Sequence, residues 1–168
     1  MWMWTRCCPT FGCTEPGKNR KSGAAALRGP WARGRAGVKG GAAVMTADEL
    51  LFFDRLPRFL PVYAALKDAL AARHPGMTVR VARTQISFRS RYVFAMVSLP
   101  RRRFRGWPKE YLLVSFGLPE QRVSPRIAAS AEACPGRWTH HVPVEQAGEL
   151  DAQLLGWLEE AWQFSLVK

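Results

Sequence analysis

Two apolar runs stand close together in the chain, at residues 92–99 and 111–116. Neither alternates with polar residues, and each is too short for a buried helix. Both therefore read as central strands covered on two faces. Residues 100–108 join them, which is too short a link for the parallel crossover of about a dozen residues or more, so the pair is expected to be antiparallel. Shorter alternating runs surround this pair. Residues 78–84 put Val79 and Val81 on one face and Arg80 and Ala82 on the other. In residues 85–89, Ile86 and Phe88 point inward, with Gln85, Ser87 and Arg89 outward. Residues 138–144 give a further strand.

Helical signals lie on either side. Thr46 followed by Glu49 is a capping box, and Leu50, Leu51, Phe52 and Phe53 offer an apolar face before Pro57 stops the helix. A second helix fits residues 61–73, with Leu60, Ala64, Leu66 and Leu70 as buried positions and His74-Pro75-Gly76 as its end. A last helix is expected from about Gly148 to Phe164, burying Leu150, Leu154, Leu158, Ala161 and Trp162. The fold class expected is α+β, a mainly antiparallel sheet of about five strands flanked by two N-terminal helices and one C-terminal helix.

Composition divides the chain near Met45. Residues 1–44 carry 8 of the 25 basic side chains, one acid (Glu15) and 8 of the 14 glycines, with no sustained apolar period. Such a segment cannot bury enough apolar surface to offset chain entropy and is read as a disordered leader. A secretory signal is excluded by Arg6, Cys7, Cys8 and Pro9, which interrupt every apolar stretch. A basic nucleic-acid tail and translated DNA upstream of a start at Met45 both fit the composition. Residues 45–168 are expected to form one α+β domain, with 17 basic and 12 acidic side chains. The net charge of +12 favours anionic partners. No apolar run approaches the roughly 18 residues of a membrane span, so a cytoplasmic protein without membrane contact is expected.

Much familiar chemistry is missing. Gly12, Gly17 and Lys18 approach a P-loop, but Asn19 replaces the Ser or Thr that holds magnesium, and no strand precedes it. Cys7, Cys8 and Cys13 lack paired zinc spacing, and Cys134 reads as a buried inert thiol. Between Met77 and Phe116 the only acid is Glu110, too little for a metal-dependent nuclease. Asp48, Glu49, Glu159 and Glu160 read as helix-start or solvated-face residues. No cofactor or metal is expected.

Two constellations remain. Arg83, Arg89 and Arg91 lie on or beside strands, while Arg101, Arg102, Arg103 and Arg105 crowd one connection together with Phe104 and Trp107. Guanidinium forks with stacking rings suit nucleic acid, although a merely solvated loop has the same composition. The second is Arg137-Trp138-Thr139-His140-His141-Val142. Neighbouring strand side chains point to opposite faces, so His140 and His141 cannot grip one ion together. One is expected to be semi-buried and hydrogen-bonded, the other to face a groove or solvent. Ser124-Pro125-Arg126 reads as a short helical turn, which is either an ordinary cap or an anion site built from backbone amides and Arg126.

The segments Thr84-Gln85-Ile86-Ser87-Phe88, Leu113-Val114-Ser115-Phe116-Gly117-Leu118, Ser124-Pro125-Arg126-Ile127, Arg137-Trp138-Thr139-His140-His141 and Leu150-Asp151 with Trp157-Leu158 and Ala161-Trp162 resemble the small bacterial family called domain of unknown function 5655. The resemblance covers about residues 50–163, and its histidine segment is the most specific part. It implies a compact α+β module, also found fused beside other domains in larger bacterial proteins, some linked to DNA restriction. It implies no particular reaction. Gln85, Arg91, Arg126, His140 and His141 are the binding candidates. The expected function is a non-enzymatic binding module for an anionic small molecule or nucleic acid. The alternatives are an enzyme using a strand histidine as general acid or base, and an interaction domain docking through an exposed Trp157 or Trp162.

Overall fold

The computed structural model describes residues 44–100 and 105–167. The expected leader, the near P-loop, Cys7, Cys8 and Cys13, and Arg101, Arg102, Arg103 and Phe104 lie outside these residues.

Chain order is α1 (Ala47–Phe52), a 3-10 turn (Pro57–Phe59), α2 (Leu60–Arg73), β1 (Thr78–Val81), β2 (Ile86–Arg89), β3 (Val93–Ser98), β4 (Leu112–Leu118), β5 (Ala129–Cys134), β6 (Arg137–Val144), a 3-10 turn (Ala147–Glu149) and α3 (Ala152–Leu166). The fold is α+β. One sheet has the order β1-β2-β3-β4-β6-β5, and every adjacent pair is antiparallel. It has six strands where the alternation gave five. The added one, β5, is an exposed edge strand of small and acidic residues, Ala-Ser-Ala-Glu-Ala-Cys, which carries no apolar alternation. Cys134 ends it and is half-buried rather than buried as expected.

Register explains which face becomes the core. Ile86, Val97, Val114 and Val142 are cross-strand neighbours, as are Phe88, Ala95, Phe116 and His140. Both rows face the helices and join Tyr63, Leu66 and Leu70 of α2 and Leu154, Leu158 and Ala161 of α3 in one apolar core. A register shift between Phe88 and Arg89 accompanies a bulge in β3, and Phe94 lies edge-on to Trp162 at 5.1 Å.

The helices begin where the capping chemistry placed them. Thr46 Oγ1 accepts from the Glu49 amide at 3.3 Å, and Glu49 Oε2 accepts from the Thr46 amide at 2.7 Å. Helix α1 ends at Phe52, well before Pro57, and Leu50 and Leu51 are exposed, so only Phe53 and the edge of Phe52 supply the expected apolar face. Helix α3 starts at Ala152, later than Gly148. Asp151 caps it by accepting from the Leu154 amide at 2.9 Å, and Leu150 precedes it.

Strands β4 and β5 both pair with β6, so they run parallel and require a crossover. Residues 119–128 provide it as a strap without helix or strand. Ser124-Pro125-Arg126 is therefore not a helical turn. It closes with the Ile127 amide donating to the Ser124 carbonyl at 3.0 Å.

Candidate functional site

The five candidates fall on different parts of the sheet. Gln85 is half-buried in the β1–β2 turn, and its carbonyl accepts from the Ala82 amide at 2.9 Å. Arg91 is exposed in the β2–β3 turn, its guanidinium 5.5 Å from the Tyr92 ring centre. Strand β2 lies between them, so six residues of nearly extended chain hold them roughly 20 Å apart. Arg126 belongs to the strap, several strands away in sheet order.

The two histidines divide between the faces of the sheet. His140 points into the helix-covered side and is fully buried, with its ring stacked on Phe116. Its Nε2 accepts from the Arg122 amide at 2.8 Å, which fixes the proton on Nδ1, and Nδ1 has no hydrogen-bond partner. Burial and the Arg122 cation push the His140 pKa down, against an opposing backbone contact from Phe116. His140 is thus a strut for the strap, inaccessible to a ligand.

His141 points to the other face. There, register lines up Arg80, Ser87, Met96, Ser115, His141 and Ala129 across all six strands. His141 Nδ1 and Ser115 Oγ are 2.7 Å apart. Burial, and then His140, lower the His141 pKa, so the ring is neutral at pH 7 and offers an anion no positive charge. Ser87 faces outward as the alternation required, yet both it and Ser115 are buried between larger neighbours.

Arg126 is held from two sides. Nη1 donates to Asp151 Oδ1 at 2.6 Å and Nη2 to the Glu149 carbonyl at 2.6 Å. The guanidinium holds the Asp151 carboxyl below the usual carboxylate range. Farther along the strap, Arg122 pairs with Glu160 of α3. The strap is thereby tied to β6 and to both the start and the middle of α3.

These ties build one wall of an open groove of about 460 Å³. Arg126 and Pro125 come from the strap, Arg105 and Trp107 from the β3–β4 connection, and Glu145 and Glu149 from the chain after β6. Arg105 and Trp107 belong to the basic and aromatic cluster found in the sequence. Their meeting with Arg126 was not legible there, because it depends on the β4–β5 crossover. Neither histidine, nor Gln85, nor Arg91 lines the groove. Among the described residues no group of three or more His, Cys, Asp or Glu is placed to hold a metal ion.

Residues 52–165 match the family described as Domain of unknown function (DUF5655). The chain belongs to this family. No curated protein and no solved structure matches the chain. The match spans the DUF5655 core from the end of α1 to the last turn of α3 and includes both groove-forming connections. Within this DUF5655 domain, Trp157 is buried and Trp162 stacks on His74 at 4.2 Å, so neither indole is presented for docking. No helix among the described residues is long and apolar enough to cross a membrane.

Proposed function

We propose that this DUF5655 domain is a non-enzymatic binding module for an anionic ligand, with nucleic acid as its polymeric form. The observation that carries this reading is the meeting of Arg105, Trp107 and Arg126 in one groove. A guanidinium fork suits phosphate, and an indole beside it suits a base. Arg126 is preorganised by Asp151 and Glu149, and those two bonds occupy two of its five N–H donors. Arg105 is exposed and forms no salt bridge among the described residues. Arg91 and His141, once candidate contacts, stand outside this groove and serve at most a longer ligand. The test is a titration of short single- and double-stranded oligonucleotides followed by fluorescence anisotropy. Binding should be measurable at low salt, weaken steeply as salt rises, and weaken in Arg105→Ala. No binding at low salt would remove the reading.

A second reading rests on the Ser115–His141 pair, a hydroxyl and an imidazole in hydrogen-bond contact. It favours hydrolytic chemistry with His141 as general base. Against it, the flanking positions in the same row are Met96 and Ala129, so the row supplies no carboxylate to orient the ring. Labelling by a fluorophosphonate probe that disappears in Ser115→Ala would establish this reading over the first.

A further inference from the structure

The groove has an electrostatic peculiarity that a simple anion site would not have. Its lining holds two guanidiniums, Arg105 and Arg126, and two carboxylates, Glu145 and Glu149. Asp151 further offsets Arg126. Glu149 is already engaged, because its Oε2 accepts from the Glu145 amide at 3.1 Å. The Glu145 carboxylate is exposed and accepts no hydrogen bond among the described residues. A bare phosphate placed between these groups would be attracted by Arg105 and repelled by Glu145. The repulsion becomes an attraction only if the ligand also carries N–H donors at the end facing Glu145.

We infer that the groove takes a nucleotide whose base bears an exocyclic amino group, with Arg105 on the phosphate, Trp107 on the face of the base and Glu145 accepting from the amino group. This rests on the anion-binding reading above and narrows it. Carboxylates are natural acceptors for the cytosine amino group, and base stacking on an aromatic ring tolerates any base, so discrimination falls to Glu145. Trp107 is set edge-on to Tyr111 at 5.4 Å and 62°, which fixes the plane on which a base would stack. The groove volume of about 460 Å³ lies in the range of small-ligand sites, roughly 300–1,000 Å³. A free mononucleotide and one nucleotide of a single strand present the same chemistry.

The experiment is calorimetric titration of the full chain with CMP, UMP, inorganic pyrophosphate, oligo(dC) and oligo(dT). CMP should bind about tenfold tighter than UMP, the discrimination expected of one good base contact. Glu145→Ala should erase that ratio from both sides, weakening CMP and tightening UMP, because the substitution removes an acceptor from one and a repelling charge from the other. Glu145 is exposed, and its contact to Glu149 is made by the backbone, so this variant keeps the fold. Arg105→Ala should weaken both nucleotides equally. Oligo(dC) binding far above CMP assigns the chemistry to a strand, and equal binding per site assigns it to a free nucleotide; either supports the inference. Equal affinity for CMP and UMP, with both lowered by Arg105→Ala, overturns this inference and leaves the anion reading in place. The same holds for tighter UMP binding. If pyrophosphate, nucleotides and oligonucleotides all fail to bind, both readings fall.

Discussion

Glu49 shows how much one side chain can carry. It is 1% exposed, yet charged, because three donors converge on its carboxylate: the Thr46 amide, Lys67 Nζ at 2.8 Å and the Tyr63 hydroxyl. Burial pushes its pKa up, but Lys67, Thr46 and Tyr63 together outweigh that and hold it below the ordinary glutamate value. Lys67, itself nearly buried, also donates to the Val44 carbonyl at 3.0 Å. Lys67→Met should therefore strand a buried carboxylate and cost about 3 kcal/mol in urea denaturation, whereas the double change with Glu49→Leu should cost less. A single-variant loss near zero would show that Glu49 is hydrated. All three histidines respond to acid in the same direction. His74 lies 3.1 Å from Glu159 Oε2 without hydrogen-bond alignment. Burial lowers its pKa, Glu159 opposes and Arg73 adds to the lowering, while His140 and His141 are lowered chiefly by burial. Below the unfolded histidine pKa of about 6.5, the unfolded chain binds protons that the folded chain refuses, so stability falls as pH falls. Glu49 adds to the loss at lower pH, where the unfolded carboxylate takes up a proton before the folded one. The urea midpoint should drop between pH 7 and pH 5, and a rise across that range would contradict these assignments.

At the level of elements, the strap and α3 depend on each other. Asp151 both caps α3 and anchors Arg126, while His140 and Glu160 hold Arg122. Helix α3 carries Gly156 in its interior, where an added Cβ would meet nothing within 4 Å. Gly156→Ala should stabilise the domain by about 0.5–1 kcal/mol, read as a higher Tm, because alanine loses less backbone freedom on folding. A lower Tm would mean that the glycine serves a contact. Elements marked by strong local chemistry were legible in the sequence. The Thr46–Glu49 box, the breaker at His74-Pro75-Gly76 and the apolar runs of β3 and β4 each appear where their residues demand. Strand β5 was not legible, since its alanines and glutamate favour no strand and only pairing with β6 makes them one. Glu49 was legible as a cap but not as the centre of a buried network, because Tyr63 and Lys67 reach it only once α2 packs against α1.

For the whole molecule, the sheet order decides what can act together. Placing β6 between β4 and β5 sends the strap back over the sheet and brings Arg126 to Arg105 and Trp107, residues near one another only in space. The same order leaves Gln85 and Arg91 on the far strands and separates His140 from His141 across the sheet. Residue chemistry thus pointed correctly to guanidinium and aromatic groups, while their grouping followed from a crossover that no local pattern announced. The central claim is that the groove beside the strap is where a ligand binds. Its most direct test is backbone and indole chemical-shift mapping of the full chain on addition of CMP. The account predicts shifts concentrated at Gly106, the Trp107 indole, Ala128 and Glu145. Shifts centred instead on Ser87, Ser115 and His141, with the groove unmoved, would contradict it.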